Sequence, residues 1–111
     1  MEFDEYQKKA SEFAIYNKKD PHYPLMYLSM GLAGEAGEVI EKVKKIIRPA
    51  EVVIPEERRQ DLKKELGDVL WYLSELAYKL GLSLEDVASH NVQKLADRAQ
   101  RGVIHSEGDT R

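Results

Sequence analysis

Acidic residues three positions apart occur twice, in two segments whose apolar residues recur at helical spacing. The pairs are Glu35 with Glu38 and Glu65 with Asp68. Residues three apart on a helix point in nearly the same direction, so each pair presents two carboxylates to one spot. If the two helices pack antiparallel through their apolar faces, the carboxylates converge and repel one another unless a cation is bound. Because hard divalent ions such as Mg²⁺ favour carboxylate oxygens, the pattern predicts a metal site.

The two pairs occupy matching positions on their helices. On a helical wheel of about 100° per residue, Glu35 and Glu65 lie at the border of an apolar face, and Glu38 and Asp68 lie one step further out. The first face consists of Leu25, Leu28, Leu32, Ala36, Val39, Val43 and Ile46. The second consists of Leu62, Leu66, Val69, Leu73, Leu76 and Leu80. Solvated helix surface would explain either pair alone, but the matching positions favour a shared site.

Glycines interrupt the first of these helices at Gly31, Gly34 and Gly37. Each interior glycine costs a helix about 1 kcal/mol relative to alanine. Gly31 and Gly34 lie beside Glu35 and Glu38 on the wheel. We therefore expect them to leave the backbone open where a ligand or a neighbouring helix approaches, although tight helix packing alone would also explain them.

Apolar periodicity and capping residues predict four helices and no sheet. The expected bounds are about Phe3 to Tyr16, Pro24 to Ile47, Glu56 to Gly81 and Ser83 to Gly102. The fold class is therefore all-α, with a four-helix bundle-like protomer whose long central helices are antiparallel. We expect residues 1–104 to form a single domain and residues 105–111 to form a polar, frayed tail.

Composition limits the classes of partner. The chain has 111 residues, of which 42% are hydrophobic and 33% charged, so we expect one small domain that gains from self-association. A net charge of −3 argues against binding to a nucleic-acid polymer. The absence of cysteine excludes a disulfide, a thiolate nucleophile and a cysteine zinc site. Neither a signal peptide nor a membrane span is predicted, so the expected location is cytoplasmic, with no membrane partner.

A stripe of polar and basic residues borders the apolar face of the fourth helix. It contains Asn91, Lys94, Arg98 and Arg101. If this stripe meets the acidic site across the bundle, it could bind a polyphosphate. Complementing the helix dipole would also explain Arg98 and Arg101, but it explains Asn91 and Lys94 less well.

The ordered set of motifs resembles the MazG-like nucleotide pyrophosphohydrolases of the all-α nucleoside triphosphate pyrophosphatase superfamily. The segments GEAGEVIEKVKK and KKELGDVLWYLSELA are similar to that family's paired E-x-x-E and E-x-x-D helices. The segment NVQKLADR is similar to its later N-x-x-K-x-x-x-R motif. Together these motifs run in the family's order through most of the chain, from about Leu25 to Gly102.

The resemblance implies hydrolysis of a nucleoside or deoxynucleoside triphosphate to the monophosphate and pyrophosphate, in nucleotide-pool house-cleaning. It implies Mg²⁺, with Mn²⁺ as an alternative ion, bound by the catalytic acids Glu35, Glu38, Glu65 and Asp68. Either Glu38 or Glu41 could instead orient the attacking water. Lys94 and Arg98 would bind phosphates, and Asn91 would contact sugar or phosphate.

Aromatic residues near the acids are candidates for recognising the base, because bases stack on aromatic rings. They are Tyr23, Tyr27, Trp71 and Tyr72, together with the polar His22, and packing explains each of them equally well. The resemblance also implies a homo-oligomer, with a tetramer favoured over a dimer. The sequence does not indicate which base or sugar is preferred.

Two other classes of protein are alternatives to a hydrolase, and the sequence fits them less well. A di-iron carboxylate bundle requires E-x-x-H motifs, but Lys19, Val87 and Gly102 stand three residues before the histidines. A non-enzymatic helical interaction module, such as an antitoxin-like partner protein, is the stronger alternative. It would leave the glycines and the matched acidic pairs unexplained.

Overall fold

The part of the chain that the structure describes is all-helical. The computed structural model describes residues 1–14, 23–47 and 54–102, which form four helices and no strand. In chain order these are α1 Phe3–Ser11, α2 Tyr23–Ile47, α3 Glu56–Lys79 and α4 Leu84–Arg101. No helix within these ranges is long and apolar enough to cross a membrane. The predicted tail, residues 105–111, lies outside the described residues.

The first helix is shorter than its periodicity predicts. It ends at Ser11, whereas the sequence predicts continuation to about Tyr16. The amides of Glu12, Phe13 and Ala14 donate to carbonyls three residues earlier, at 3.2, 3.1 and 3.2 Å, rather than four. This tightening is typical of a helix C-terminus and ends the α-helical pattern. The helical prediction is therefore wrong for residues 12–14, and Tyr16 lies outside the described residues.

A glycine turn separates α3 from α4. Gly81 has a φ of +73°, in the left-handed region that glycine adopts without strain. The amide of Leu82 donates to the Ala77 carbonyl at 2.8 Å, and the amide of Gly81 donates to the Tyr78 carbonyl at 3.0 Å. These two bonds form a Schellman motif, so Gly81 occupies the helix-ending position that the sequence predicts.

The N-terminus of α4 receives caps from two parts of the chain. The Ser83 hydroxyl accepts a hydrogen bond from the Asp86 amide at 3.2 Å. From α1, the Asp4 carboxylate accepts from the Ser83 hydroxyl at 2.7 Å and from the Glu85 amide at 3.1 Å. Because a helix N-terminus leaves amides without intrahelical acceptors, Asp4 stabilises α4 as well as attaching α1 to it.

Gln7 of α1 attaches that helix to the junction of α3 and α4. Its amide nitrogen donates to the carbonyls of Ser74, at 3.3 Å, and Leu82, at 3.0 Å. Its amide oxygen accepts from the Leu84 backbone amide at 3.2 Å. Gln7 is buried, so these bonds replace the water that an exposed glutamine would bind.

We expect Gln7→Ala to lower the free energy of unfolding by about 2 kcal/mol, because it leaves the buried Leu84 amide without an acceptor. Thermal unfolding followed by circular dichroism would measure this change. Gln60→Ala is the matched control, because the exposed Gln60 bonds Glu56 within one helix turn, and we expect it to cost less than about 0.5 kcal/mol. Equal effects of the two substitutions would contradict the role assigned to Gln7.

Within the described residues, the four helices do not all pack against one another. In the described residues α2 packs against α3, and α1 packs against α3 and α4, but α2 makes no contact with α4. The buried hydrophobic residues are Ala10, Leu28, Ala77 and Leu84. Much of the predicted apolar face of α3 remains uncovered, since Leu66, Leu73 and Leu80 are 55%, 38% and 56% exposed.

Candidate metal centre

Three acidic side chains from two helices meet on the packed surfaces of α2 and α3. One carboxylate oxygen each from Glu35, Glu65 and Asp68 lies within 4.8 Å of the other two. Glu35 comes from α2, and the other two come from α3, where their spacing of three places them on one side of the helix. Glu35 and Glu65 are partly buried, whereas Asp68 is exposed, so the cluster is open to solvent on one side.

The donor set and its spacing suit a hard divalent ion. Mg²⁺ binds oxygen at 2.0–2.1 Å, so two of its ligands stand at most about 4.2 Å apart. The limit of 4.8 Å that encloses the three oxygens is slightly larger, so the carboxylates would have to move closer together to bind one ion. Mg²⁺ also retains water ligands in proteins, which the exposed side of the cluster would permit.

Glu38 lies outside this cluster, although it belongs to the predicted set of four acids. Its side chain is exposed on α2, as is that of Glu41 one turn later. Glu38 is still close enough for its charge to contribute to raising the pKa of Glu35. Three predicted acids thus come together, and the roles of Glu38 and Glu41 stay predictions.

The packing raises the pKa of Glu35 above its ordinary value. Partial desolvation is the largest cause, followed by the negative charges of Asp68 and Glu65. A hydrogen bond between the Glu35 and Glu65 side chains and the charge of Glu38 raise it further. Without a cation, the cluster therefore favours a proton on Glu35, which relieves the repulsion among the acids.

We expect Mg²⁺ affinity to fall as the pH is lowered through the raised pKa of Glu35, because the ion requires the carboxylate. The folded-state pKa lies above the unfolded one, so this group's contribution to stability is full below the unfolded pKa and is lost as the pH rises through the folded one. Mild acidification should therefore stabilise the metal-free protein. Calorimetry in two buffers of different ionisation heat would count the protons released, and Glu35→Gln should release fewer. An affinity that stays constant from about pH 7 to about pH 4 would contradict this prediction.

Gly31 makes room for an aromatic ring one helix turn from Glu35. A Cβ atom at Gly31 would overlap the ring of Tyr72, which lies on α3 one turn beyond Asp68. The expectation of a close approach therefore holds at this glycine. Gly34 has open space where its Cβ would be, so nothing in the described residues approaches it.

Tyr72 packs among aromatic residues at this end of the cluster. Its ring lies 5.1 Å from that of Trp71 in an edge-on arrangement and 6.1 Å from that of Tyr27. The pKa of Tyr72 rises to about 12, first because of a hydrogen bond with Tyr27 and then because of partial desolvation and the nearby acids, Glu35 and Asp68. The phenol is therefore neutral near pH 7 and adds no further negative charge to the cluster.

Trp71 attaches α1 to α3. Its indole nitrogen donates to the Ala10 carbonyl at 3.0 Å, and the residue is partly buried. Of the other candidates for base recognition, Tyr27 is exposed, and His22 and the side chain of Tyr23 lie outside the described residues. Base recognition by any of these residues stays a prediction.

A lysine that the sequence analysis did not identify lies at the other end of the cluster. The Lys42 ammonium of α2 is 3.7 Å from Oε1 of Glu65, and both side chains are partly buried. Lys42 follows Glu35 by seven residues, two helix turns, and so lies on the same side of α2. That spacing was the signal available in the sequence.

The predicted phosphate-binding residues of α4 are separate from the acids within the protomer. Asn91 is exposed and Lys94 partly buried, and both line a surface pocket of about 330 Å³ that also includes His90. Arg98 is buried. The backbones of α2 and α4 do not approach each other in the described residues, so the stripe and Glu35 lie on helices that are not packed neighbours.

Comparisons with known proteins identify the family. A family model described as "MazG nucleotide pyrophosphohydrolase domain" matches residues 26–103, a range that includes all three clustered acids and α4. The chain is also 48% identical over 114 aligned positions to the "Gene 37 protein" of Mycobacterium phage L5, with 100% of both chains covered. No solved structure matches. The chain therefore belongs to the MazG nucleotide pyrophosphohydrolase family.

Proposed function

We propose that this protein is a Mg²⁺-dependent hydrolase that converts a nucleoside or deoxynucleoside triphosphate to the monophosphate and pyrophosphate. The observation that carries the proposal is the convergence of Glu35, Glu65 and Asp68 in a member of this family. The bond that breaks is the anhydride between the α- and β-phosphates, and water supplies the new oxygen. A cysteine nucleophile is excluded, because the chain contains no cysteine.

The three clustered acids would hold the ion, and Glu38 would complete the set or orient water. A bound divalent ion would neutralise phosphate charge and activate water for attack on phosphorus. Glu38 is suited to accept a proton from that water, because it is exposed and lies one turn from Glu35 on the same helix. Glu41 is the alternative base. Mn²⁺ would substitute for Mg²⁺, since it also favours carboxylate and water ligands.

Phosphate binding would involve the α4 residues Asn91, Lys94 and Arg98. Since the α2 and α4 backbones are not packed neighbours in the described part of the protomer, we propose that α4 of another subunit brings Asn91 and Lys94, which are not buried, to the acids. Arginine and lysine side chains are common phosphate ligands. Tyr72, beside the cluster, is the aromatic candidate best placed for the base.

The proposed assembly is a homo-oligomer, with a tetramer favoured over a dimer. The exposed apolar side chains support it, since Met30, Ile40 and Val92 are 71%, 68% and 65% exposed.

The positions of the contacts along α2 and α3 support an antiparallel pair of central helices. Gly31 meets Tyr72, which comes late in α3, whereas Lys42 meets an earlier residue, Glu65.

Light scattering after size-exclusion chromatography tests the assembly, and we expect a mass four times that of the 12.7 kDa chain. We expect Met30→Glu to reduce the mass by placing a charge in an apolar interface. Glu12→Gln is a control on an exposed residue outside these faces. A wild-type protein that remains monomeric at assay concentration would refute the oligomer.

Pyrophosphate release from a panel of canonical and modified nucleoside triphosphates, with and without Mg²⁺, tests the reaction. We expect pyrophosphate release that depends on Mg²⁺. The rates for the different nucleotides would rank the bases, and a preference for modified nucleotides would support the proposed house-cleaning role. No release from any triphosphate would instead favour a non-enzymatic interaction module.

A further inference from the structure

Lys42 makes an ion pair between helices at the acidic cluster. Its side chain is 28% exposed and that of Glu65 is 20% exposed. Three other ion pairs in the described residues each connect positions three or four apart on one helix, and their side chains are at least 48% exposed. Water screens such exposed pairs strongly, so the Lys42 pair retains more of its electrostatic attraction.

The distance shows that this pair is not locked by a hydrogen bond. Ammonium and carboxylate groups joined by a charge-assisted hydrogen bond stand about 2.7–2.9 Å apart, whereas Lys42 and Glu65 are 3.7 Å apart. Lysine carries its charge on a flexible stem of four carbons, which permits the ammonium to move between partners. Lys42 is therefore held beside Glu65 by electrostatic attraction and remains able to leave it.

The Lys42 ammonium would compete for Glu65 with any divalent cation that the acids hold. Both are positive, and Glu65 belongs to the set of acids that can hold an ion. A triphosphate brought to the same place supplies several negative oxygens, which offer the ammonium a new partner. Lys42 is already paired with a member of the acidic cluster, and is therefore a cation positioned for this exchange.

We propose that Lys42 is a substrate-binding residue that pairs with Glu65 in the metal-free protein and transfers to the phosphate chain when metal and substrate bind. This inference rests on the proposed function, since it requires both a metal and a phosphate ligand at the cluster. It adds to the α4 residues a cation from the same helix as Glu35. Before metal binds, the pair of Lys42 and Glu65 also offsets part of the repulsion among the acids.

The exchange predicts effects of opposite sign in one variant. Lys42→Met keeps the length of the side chain and removes its charge. We expect Mg²⁺ alone to bind about threefold more tightly, because Glu65 no longer has a competing partner. We expect the Mg²⁺ complex of inorganic triphosphate to bind about tenfold more weakly, because a charge-assisted contact is lost.

Isothermal titration calorimetry at low ionic strength measures both affinities without turnover of a nucleotide. Lys44→Met is the matched control, because Lys44 is exposed on the same helix, and it should leave both affinities unchanged. Lys42→Arg keeps the charge and should restore most of the triphosphate affinity. Kinetic assays should show a raised KM for Lys42→Met, with a smaller change in kcat.

Two results would overturn the inference. If Lys42→Met binds triphosphate as the wild type does, the pair is structural only. If it binds Mg²⁺ more weakly, Lys42 supports the ion instead of competing with it. Failure of the wild type to bind Mg²⁺ or its triphosphate complex would refute the proposed function as well, so the two failures are distinguishable.

Discussion

Asp68→Asn is expected to lower kcat/KM for triphosphate hydrolysis about a thousandfold, because a metal ion contributes several kcal/mol to stabilising charge in the transition state. The substitution preserves the shape of the side chain and removes the charge that a divalent ion requires. Pyrophosphate release measures the effect on turnover, and calorimetry should show weaker Mg²⁺ binding. Glu35→Gln should behave similarly.

The same variant should fold normally. Asp68 is exposed, and its charge lies close to those of Glu35 and Glu65, so removing it relieves repulsion in the metal-free protein. We expect the free energy of unfolding without Mg²⁺ to rise by up to about 1 kcal/mol. Asp61→Asn, seven residues earlier on the same helix and outside the cluster, is the matched control. Normal turnover in Asp68→Asn would remove this residue from the mechanism.

Gly31→Ala is expected to destabilise the protein by about 1–2 kcal/mol, because the new methyl group would overlap the Tyr72 ring and force α2 or the ring to move. This is a net cost, since alanine in a helix otherwise gains about 1 kcal/mol over glycine. We also expect about tenfold weaker Mg²⁺ binding, because Glu35 lies one turn from the disturbed position. Thermal unfolding and calorimetry measure the two effects.

Repeating the substitution in a protein that also lacks the Tyr72 ring distinguishes this overlap from a general intolerance of α2 to alanine. With Tyr72→Ala in place, every side-chain atom that the new methyl group would overlap is absent, and Gly31→Ala should then stabilise by about 1 kcal/mol. Gly34→Ala in the wild-type background should be stabilising, because its Cβ position is open. If Gly31→Ala destabilises equally in both backgrounds, the Tyr72 ring is not the cause. Destabilisation by Gly34→Ala would indicate that another chain approaches there.

Local signals in the sequence predicted the parts of the fold that depend on neighbouring residues. Gly81 and Ser83 mark a helix end and a helix start through their own backbone and side-chain chemistry. The shared direction of Glu65 and Asp68 follows from helical spacing alone. Their approach to Glu35 required only that the two apolar faces meet.

Contacts between segments that are far apart in the sequence could not be predicted from such local signals. Glu75 is 1% exposed and accepts a hydrogen bond from Ser11 at 2.6 Å, whereas no pattern in the sequence distinguishes it from a solvated glutamate. Its hydrogen bond with Ser11 depends on how α1 packs against α3. The pairing of Lys42 with Glu65 likewise depends on how far α2 is displaced along α3, which apolar periodicity does not determine. Leu66 has an apolar side chain on a predicted core face, yet it is 55% exposed.

The docking of α1 has a consequence for the order of folding. Gln7 contacts residues 67 to 77 positions away, and Asp4 contacts residues 79 and 81 positions away. Closing such long loops is slow, and its entropic cost precedes any gain from the contacts. During synthesis, α1 must therefore wait until α3 and the start of α4 have left the ribosome. Its docking is expected to be a late event, and its detachment an early event in unfolding.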